Sequence, residues 1–438
     1  MAERGSVMHS WCVQSDWNAP TVVGGAGAWF WDDQGRRYLD MSSQAECCNL
    51  GHQHPGVIAA IRDQAEKLCY IANAWGAKPR ADLAERLLER AGFEGGRVFF
   101  TLGGADANEH AVKFARWATG RPLGKIITRY RSYHGASSGA FTLSADARGQ
   151  HQPPGMLNVI HALPPYCYRC PFGQNYPSCG MRCADHVGDL IDWEGRDTVS
   201  AVLMEPHAGT NGIVAPEAYW PRLREMCSDR GVLLIADEVM SGFGRVGEWF
   251  AWQKYGDAGR PDLMTLAKGL TGAHLPLGAV LVSRKVCEHL DDRMLDAGLT
   301  YSGHPLSCAA GVAAVDAYAT DGLIERAGEL GAALRARLEA LRVRHTCIGD
   351  VRGDGLFQVL ELVADRVSRQ PLVPWDASGD SPVKHLVSDA RQRGVCFAGR
   401  GNLLILAPPL VISRDDLDRA VDLLDELLSA CDAGMASA

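Results

Sequence analysis

Apolar and polar positions near the start of the chain follow the pattern of a β-hairpin and then that of a helix. Residues 27–43, GAWFWDDQGRRYLDMSS, contain two short alternating runs joined by a DDQG turn, and a period of two is typical of strands that bury one face. The following segment, HPGVIAAIRDQAEKL, places Val57, Ile61 and Ala65 on one face of a helix. The pattern therefore predicts a hairpin followed by a helix.

The middle of the chain alternates apolar strands with amphipathic helices. The strand RVFFT is followed by a helical pattern that Gly120 ends. Further on, TVSAVLMEP and VLLIAD predict strands on either side of a helix that Gly231 closes. Repeated strand–helix–strand units predict a mostly parallel sheet covered by helices, with right-handed connections.

Beyond about residue 305 the pattern changes. Two long helical segments, residues 306–322 and 323–343, come first. The segments VRGDGLFQVLELV and NLLILAPPLVI then predict one strand each. The last part of the chain therefore contributes both helices and strands.

A final helix is predicted from Leu417 to Leu428. Ser413 and Asp416 have the spacing of a capping box at its start. Residues 367–382, which contain Ser, Pro, Asp and Gly, predict a surface loop.

The expected fold class is α/β, with a large domain whose mostly parallel sheet is covered by helices and a smaller α+β domain built from both chain ends. Residues 1–58 are expected to form the N-terminal part of the small domain, residues 59–310 the large domain, and residues 311–438 the C-terminal part of the small domain.

Composition narrows the class of protein. The chain has 438 residues, of which 47% are hydrophobic, enough for a large core. A net charge of −8 argues against a basic nucleic-acid surface. The start, MAERGSVMHSW, has no apolar core of a signal peptide, and no apolar run approaches the roughly 20 residues of a membrane helix. A cytoplasmic protein is expected.

Four of the fourteen cysteines cluster in one short segment, at Cys167, Cys170, Cys179 and Cys183. Read alone, the C-x2-C-x8-C-x3-C spacing resembles a structural zinc knuckle, because four thiolates can close a tetrahedron around the metal. The alternative is a surface insert rich in Pro and Gly whose cysteines are reduced or partly disulfide-linked. We prefer the second interpretation and expect no metal.

Asp237 and Lys268 carry the strongest chemical signal. Asp237 ends the apolar run LLIAD, and Lys268 ends the apolar run LMTLAK. A pyridoxal 5′-phosphate (PLP) site needs an amine that holds the cofactor as a Schiff base and a carboxylate that keeps the pyridine nitrogen protonated. The alternatives are a surface lysine and an aspartate that caps a turn or pairs with Arg245 of the nearby GFGR segment.

Small residues at 103–105 join a strand to a helix. Such a junction presents backbone N–H groups at the positive end of the helix dipole and can bind phosphate. Glycine turns are common, so this junction alone is weak evidence.

The stretch from Leu233 to Ser283, which contains DEVMSGFGR and LAKGL, resembles the signature of class III aminotransferases, PLP enzymes of fold type I. The resemblance extends from WDDQGRRYLDMSS to LILAPPLVIS. Through SSQ…NLGHQHP and GNLLILAPPL the chain is most similar to taurine–pyruvate and other ω-amino-acid aminotransferases.

The resemblance implies a role for each residue that matches the family's cofactor site. Lys268 would form the Schiff base and carry protons, Asp237 would bind the ring nitrogen, and Glu205 would orient the cofactor. Tyr133 would stack on the ring with His134 beside it. The residues matched to the cofactor site are Gly103, Gly104, Ala105, Tyr133, His134, Glu205, Asp237, Met240, Lys268 and Thr300.

Two of these positions have further consequences. Thr300 in TYSGHP reaches the phosphate of the neighbouring subunit in relatives, so the resemblance implies a homodimer with shared active sites. Met240 stands where many members have a glutamine that hydrogen-bonds to the ring's 3′-oxygen, and that contact is expected to be lost.

The substrate-binding residues are less well defined. Relatives bind a substrate carboxylate through an arginine near the C-terminal strand, but Ile405 and Ala398 occupy those positions here. Arg400 shares a face with Ala398 in an extended chain and could replace it, or it could be a solvated loop residue. Glu46 could select a cationic or hydroxylated substrate, or it could pair with an arginine. The candidate substrate residues are Trp11, Glu46, Trp75, His274 and Arg400.

The expected function is transfer of an amino group from a primary amine or ω-amino acid to a keto acid or aldehyde by a ping-pong mechanism. An aminomutase or racemase on the same fold is the nearest alternative, since the cofactor site would be unchanged. An alternative of another class is a zinc-stapled, non-catalytic binding protein, against which the intact Lys268, Asp237, Tyr133 and Thr300 argue.

Overall fold

The computed structural model describes residue 3 and residues 5–149, 155–375, 377 and 381–436. The N-terminal segment forms three strands, one irregular helical turn and a helix. These are β1 (Val22–Ala26), β2 (Trp29–Asp32), β3 (Arg37–Asp40), α1 (Ser43–Glu46) and α2 (Pro55–Lys67).

The middle of the chain alternates strands and helices. Its elements are α3 (Lys78–Ala91), β4 (Arg97–Thr101), α4 (Gly104–Ala118), β5 (Lys125–Arg129), α5 (Ser138–Leu143), β6 (Val159–Ala162), α6 (Arg182–Glu194), β7 (Val199–Met204), β8 (His207–Ala208), β9 (Ile213–Val214), α7 (Tyr219–Ser228), β10 (Leu233–Asp237), β11 (Leu263–Leu266), β12 (Gly278–Val282) and α8 (Arg284–Glu288).

The C-terminal segment begins with two long helices and then mixes strands with helices. Its elements are α9 (Pro305–Thr320), α10 (Leu323–Arg344), β13 (Ile348–Asp354), β14 (Phe357–Asp365), β15 (Gln370–Pro371), α11 (Pro382–Gln392), β16 (Val395–Cys396), β17 (Ala398–Arg400), β18 (Leu403–Leu406) and α12 (Arg414–Ala436).

A seven-stranded sheet in the order β4-β12-β11-β10-β7-β5-β6 forms the centre of the molecule. Strand β12 is antiparallel to both of its neighbours, and the other pairs are parallel. Every residue of β7, β10 and β11 is buried, which explains their continuous apolar sequences. The predicted α/β class with a mostly parallel sheet is confirmed. Parallel strands place their carboxyl ends at one edge, where ligands of such sheets bind.

The two ends of the chain meet in a smaller sheet. Strand β16 pairs with β3 in parallel, and the sheet order is β1-β2-β3-β16. A second C-terminal sheet has the order β13-β14-β18-β17, with β15 paired to β14. Both chain ends thus contribute strands outside the central sheet, and the predicted domain limits at residues 58 and 310 stay predictions.

Several predicted elements differ in their bounds from the observed ones. The segment VRGDGLFQVLELV is not one strand but parts of two, because the chain turns between Asp354 and Phe357, where Gly355 has a φ of +51°. Strand β18 ends at Leu406, since the prolines at 408 and 409 cannot donate backbone hydrogen bonds to a sheet. In the predicted surface loop 367–382, β15 is an additional short strand, and residues 376 and 378–380 lie outside the described part.

The last helix is longer than predicted at both ends. Ser413 Oγ accepts the backbone N–H of Asp416 at 3.0 Å, as in a capping box. The Asp416 carboxylate instead accepts the indole N–H of Trp29 at 3.1 Å and so joins the helix to the N-terminal hairpin. Among the described residues, no helix is long and apolar enough to cross a membrane.

Arg245 links the central part of the chain to both ends. Its buried guanidinium donates to the carbonyl oxygens of Leu356 and Pro408 and to Ser43 Oγ and Asn49 Oδ1. Burial lowers the pKa of Arg245 to about 10. The alternative in which Arg245 pairs with Asp237 is wrong, because the side chain is occupied by these four oxygens.

We expect Arg245→Lys to destabilise the protein by roughly 3 kcal/mol, because a lysine cannot reach four acceptors in a fixed fork and leaves buried oxygens unpaired. Arg393→Lys is the control, since Arg393 pairs with Glu426 at the exposed surface and such pairs contribute little. Scanning calorimetry would measure both thermal midpoints. Equal midpoints for the two variants would contradict this role for Arg245.

Candidate active site

A cavity of about 250 Å³ opens at the carboxyl edge of the central sheet. Most of the residues matched to the cofactor site lie in its wall. These are Gly104, Ala105, Tyr133, His134, Glu205, Asp237, Met240 and Lys268.

Lys268 follows β11 and enters the cavity from a strained turn. Its backbone φ is +49°, in the left-handed region that a side chain rarely adopts. The Nζ atom donates to Glu46 Oε2 at 3.2 Å, and about a quarter of the side chain (27%) is exposed. The amine is therefore held by a carboxylate and open to the cavity.

Asp237 is a buried carboxylate with three hydrogen-bond donors. His134 Nδ1 lies 2.7 Å and Asn108 Nδ2 2.8 Å from its Oδ2 atom, while the backbone N–H of Val239 donates to Oδ1 at 3.0 Å. These contacts compensate for loss of water around the charge. These contacts thus fix the carboxylate, which lies at the end of strand β10 and lines the cavity.

Asn108 is a site residue that sequence analysis missed. Besides Asp237, its amide donates to the carbonyl oxygen of His134 at 2.9 Å and accepts the hydroxyl of Thr265 at 2.8 Å. One amide on α4 therefore joins β10, β11 and the 133–135 loop. The available signal was a polar residue four positions after Gly104, within the helix that the sequence predicts.

Glu205 and Arg129 form a buried ion pair at the ends of β7 and β5. Arg129 Nη2 donates to Glu205 Oε2 at 2.9 Å. Burial raises the pKa of Glu205, although the Arg129 charge opposes the rise. Sequence analysis also missed this arginine, because its partner Glu205 lies 76 residues away in the chain.

Glu238, the residue after Asp237, does not line the cavity. Its carboxylate accepts the hydroxyl of Ser241 and the backbone N–H groups of Ala251 and Trp252. Burial raises its pKa to about 7. The residue therefore stabilises the loop after β10.

The helix α4 begins at Gly104 and faces the cavity with its first backbone N–H groups. A Cβ on Gly103 would meet no other atom within 4 Å, so there is open space in front of the helix. Gly135, with a φ of +136°, lies so close that an added Cβ would be 2.5 Å from the Ala105 Cβ. Only glycine there lets the 133–136 loop approach the helix.

Tyr133 and Trp11 hold Arg148 between their rings. The guanidinium carbon lies 4.6 Å from the Tyr133 ring centre and 4.2 Å from that of Trp11, distances typical of cation–π contacts. Asp146 Oδ1 accepts Arg148 Nε at 2.6 Å. Trp11 is more than half exposed and packs edge-on against Tyr133, with 6.3 Å between the ring centres.

The wall near Met240 is apolar. Met240 belongs to a cluster with Phe357, Val359, Leu403, Ile405 and Ala407, against which Ala398 packs. Both positions where relatives place an arginine therefore contribute only hydrocarbon here.

Glu46 and Arg400 lie next to the reactive amine. Glu46 is 2% exposed, and its Oε1 atom is 3.6 Å from Arg400 Nη2. Burial opposes ionisation, but Lys268 and Arg400 outweigh it and hold the pKa of Glu46 below its ordinary value. The pairing of Glu46 with an arginine, one of the two sequence alternatives, is what the structure has.

The remaining predicted residues lie outside the cavity wall. His274 uses Nε2 to accept the backbone N–H of His54 and pairs Nδ1 with the carbonyl of Thr271. Trp75 is 67% exposed, and Thr300 is exposed with its carbonyl bound by the Tyr70 hydroxyl at 2.8 Å. The substrate roles of Trp75 and His274 stay predictions.

A family model for class-III aminotransferases matches residues 14–428 of the chain. The chain belongs to the class-III aminotransferases. These enzymes use PLP, and this aminotransferase has their fold type I architecture, so the predicted family, fold and cofactor are confirmed.

Similar proteins include aminotransferases and racemases. The chain is 34% identical to the hypotaurine/taurine–pyruvate aminotransferase of Paracoccus denitrificans, covering 98% of this chain and 96% of that protein. It is 35% identical to the leucine/methionine racemase of Thermococcus litoralis, covering 95% and 92%. A taurine:2-oxoglutarate aminotransferase from Bifidobacterium kashiwanohense, solved with PLP and glutamate, has a TM-score of 0.93 at 37% identity, covering 99% and 97%.

The cavity of this aminotransferase fits PLP in its donor chemistry. Asp237, Lys268, Gly104 and Ala105 all line it. The carboxylate could hold a protonated ring nitrogen, the amine could bind the aldehyde, and the backbone N–H groups at the start of the helix could hold the phosphate.

The four clustered cysteines border one small space beneath the segment 164–183. Cys167 is exposed and Cys183 is buried, and all four are free thiols. Among the described residues no group of His, Cys, Asp or Glu could hold a metal ion. The cluster lies apart from the residues around Lys268.

We expect Asn108→Ala to raise the dissociation constant for PLP about tenfold, because Asp237 loses a donor worth on the order of 1.5 kcal/mol. Absorbance titration of dialysed protein with PLP would measure the constant. Gln64→Ala is the control, since Gln64 lies in helix α2 and its side-chain amide donates to the exposed carbonyl oxygen of Leu68. An unchanged constant for Asn108→Ala would show that the network does not hold Asp237.

Proposed function

We propose that this aminotransferase moves an amino group from a primary amine or ω-amino acid to a keto acid or aldehyde by a ping-pong mechanism. The observation that carries the proposal is the convergence of Lys268, Asp237 and the start of α4 on one cavity. When bound there, PLP supplies an electron sink for the reacting carbon. The chain's own residues supply the charges, the proton carrier and the recognition of the substrate.

Lys268 is proposed as the nucleophile and proton carrier. Its Nζ atom is held near Glu46 at the mouth of the cavity and can reach a reacting carbon there. As a free amine, Nζ would accept the proton that leaves the substrate carbon and carry it to another atom within the cavity.

Asp237 is proposed to fix the positive charge of the ring nitrogen. His134 and Asn108 hold its Oδ2 atom, so the carboxylate cannot turn away. Tyr133 borders the cavity and would stack on the ring, and Glu205, neutralised by Arg129, would orient it.

Arg400 is proposed to bind the anionic group of the donor or of the keto acid. It lies 3.6 Å from Glu46, the carboxylate that also contacts Lys268, and a third of its side chain (33%) is exposed. Met240 lines the cavity in front of the buried Ile405 and would contact the hydrocarbon part. The names of similar proteins support acids of this kind, since they include taurine, pyruvate and 2-oxoglutarate.

We infer a homodimer in which Thr300 completes the partner's phosphate site. Thr300 does not line the cavity of its own chain. Large apolar side chains are exposed at Trp75, Leu102 and the adjacent Tyr301, and exposed apolar patches are typical of contact surfaces. A cytoplasmic location stays a prediction from the sequence.

A second candidate is racemisation, which similarity to the leucine/methionine racemase favours. A racemase returns the proton to the same carbon, so it needs no keto acid and leaves the amine on its substrate. The two reactions are separable by experiment.

Addition of a donor without keto acid should change the absorbance of PLP-loaded protein. We would test taurine, β-alanine, 4-aminobutyrate, putrescine and L-alanine one at a time and recover the spectrum with pyruvate or 2-oxoglutarate. Lys268→Ala should bind PLP without the wild-type spectrum and show no such cycle, because it lacks the amine. Exchange of substrate protons with deuterated water and inversion of an amino acid, without any lasting spectral change, would favour racemisation.

Mixed dimers would test the role of Thr300. A dimer of one Lys268→Ala and one Thr300→Ala subunit, purified through two different tags, should bind PLP with wild-type affinity and spectrum at half of its sites. This follows because the subunit with Lys268 receives an intact Thr300 from its partner. Thr320→Ala replaces Thr300→Ala in the control, since that hydroxyl bonds only neighbouring Asp321.

If Thr300 acts within its own chain, the subunit that keeps Lys268 lacks Thr300. No site of the mixed dimer then binds PLP with both wild-type affinity and wild-type spectrum. A Thr300→Ala homodimer should bind PLP about tenfold more weakly at every site. Light scattering that finds a monomer would contradict the shared site.

A further inference from the structure

Glu46 is a buried carboxylate in direct contact with the reactive amine. Its Oε2 atom accepts Lys268 Nζ at 3.2 Å, and the side chain is 2% exposed. It is held in an irregular turn, since Gln44 and Glu46 both have positive φ angles, +62° and +52°. Such strain persists only where surrounding contacts enforce it, and it is common at functional sites.

The second oxygen of Glu46 is only weakly engaged. Oε1 lies 3.6 Å from Arg400 Nη2, and among the described residues no donor makes a hydrogen bond to it. Arg400 Nε is buried and likewise has no hydrogen-bond partner in the described part of the chain. One carboxylate is therefore shared between two cations, with the closer contact to Lys268.

The other ionisable groups around Glu46 are few. Arg245 contributes a further positive charge from behind, where four oxygens hold it. Cys47, the next residue, has its pKa lowered to about 6 by a hydrogen bond from Cys48, with Lys268 contributing. The Tyr133 ring, with Arg148 over it, faces Arg400 from the other side. Positive charge exceeds negative charge among these groups, so binding of an anion here is electrostatically favoured.

We propose that Glu46 is a positioning residue shared between Lys268 and Arg400, and that an anionic substrate group bound at Arg400 releases Glu46 entirely to Lys268. A carboxylate or sulfonate on the substrate then replaces Glu46 as the partner of the guanidinium. The freed carboxylate stays in the low-dielectric interior beside Nζ and favours a proton there.

The consequence is a coupling between substrate recognition and proton transfer. The lysine nitrogen gains proton affinity when an acidic substrate is in place, which is when it must take a proton from the substrate carbon. Amines without an anionic group leave Arg400 and Glu46 paired, so they raise the proton affinity of the lysine nitrogen less. The inference rests on the proposed function, since it assigns Lys268 as the proton carrier.

The test is a pH titration of the absorbance of PLP-loaded protein, with and without saturating glutarate, a dicarboxylate that has neither amine nor ketone. In the wild type, glutarate should raise the pH midpoint of this absorbance titration. Glu46→Gln should lower the midpoint without glutarate by about 1 or more, the effect of removing an opposite charge within 4–6 Å. In Glu46→Gln the rise with glutarate should be much smaller.

A double-mutant cycle separates coupling from simple addition of charge. Arg400→Gln removes a positive charge and should raise the midpoint, but by less in the Glu46→Gln background, because part of the effect acts through the shared carboxylate. Cys47→Ser is the matched control next to Glu46 and should keep the wild-type response to glutarate. Glu46→Asp should restore part of the response that Glu46→Gln loses.

The outcomes distinguish this inference from the proposed function. A Glu46→Gln midpoint equal to that of the wild type, or additive effects of the two substitutions, would overturn the sharing of Glu46. Loss of the glutarate response in Cys47→Ser would assign the titration to the thiol and also overturn it. Absence of any Lys268-dependent spectrum in the wild type would instead refute the assignment of Lys268.

Discussion

A charged carboxylate buried at the end of strand β10 imposes the main constraint on the active site. Asp237 is 4% exposed, and a carboxylate so far from water must be surrounded by donors. His134 and Asn108 supply two of them, and this need fixes the 133–135 loop and α4 relative to the sheet. Helix α4 also begins at the cavity. The contacts that hold the Asp237 carboxylate therefore also set the distance between this carboxylate and the first N–H groups of the helix. Stability and cofactor geometry therefore depend on one network.

A second group of charges joins segments that are distant in sequence. Glu46 comes from the N-terminal segment, Lys268 from the central sheet and Arg400 from β17. Arg245 lies behind them and binds carbonyl oxygens of the C-terminal segment. The reactive amine is thus placed where three parts of the chain meet, so a shift of either end segment would change its surroundings. This arrangement gives the end segments a direct route to influence chemistry at Lys268.

Sequence predicted the sheet and the carboxyl-edge residues because their signals are local. Continuous apolar runs mark β7, β10 and β11, and polar residues that interrupt them at the end, such as Glu205 and Asp237, must lie at one edge of a parallel sheet. Bounds were wrong where backbone geometry intervened, at the turn before Phe357 and at the prolines after Leu406. Asn108 and Arg129 were missed because their partners are distant in sequence, and a polar residue in an apolar pattern does not reveal what it binds.

The substrate residues show why side-chain identity alone left alternatives open. Sequence analysis named Glu46 and Arg400 as separate candidates, and each also had a plain structural explanation. Nothing in the sequence shows that the two side chains meet. The structure brings both to Lys268, and the apolar wall at Met240 leaves the cationic side as the place where an acid can bind. A carboxylate that already serves two cations is a poor receptor for a third, whereas its partner arginine can exchange one anion for another. We therefore expect selection of acidic over cationic substrates to depend on that asymmetry rather than on either residue by itself.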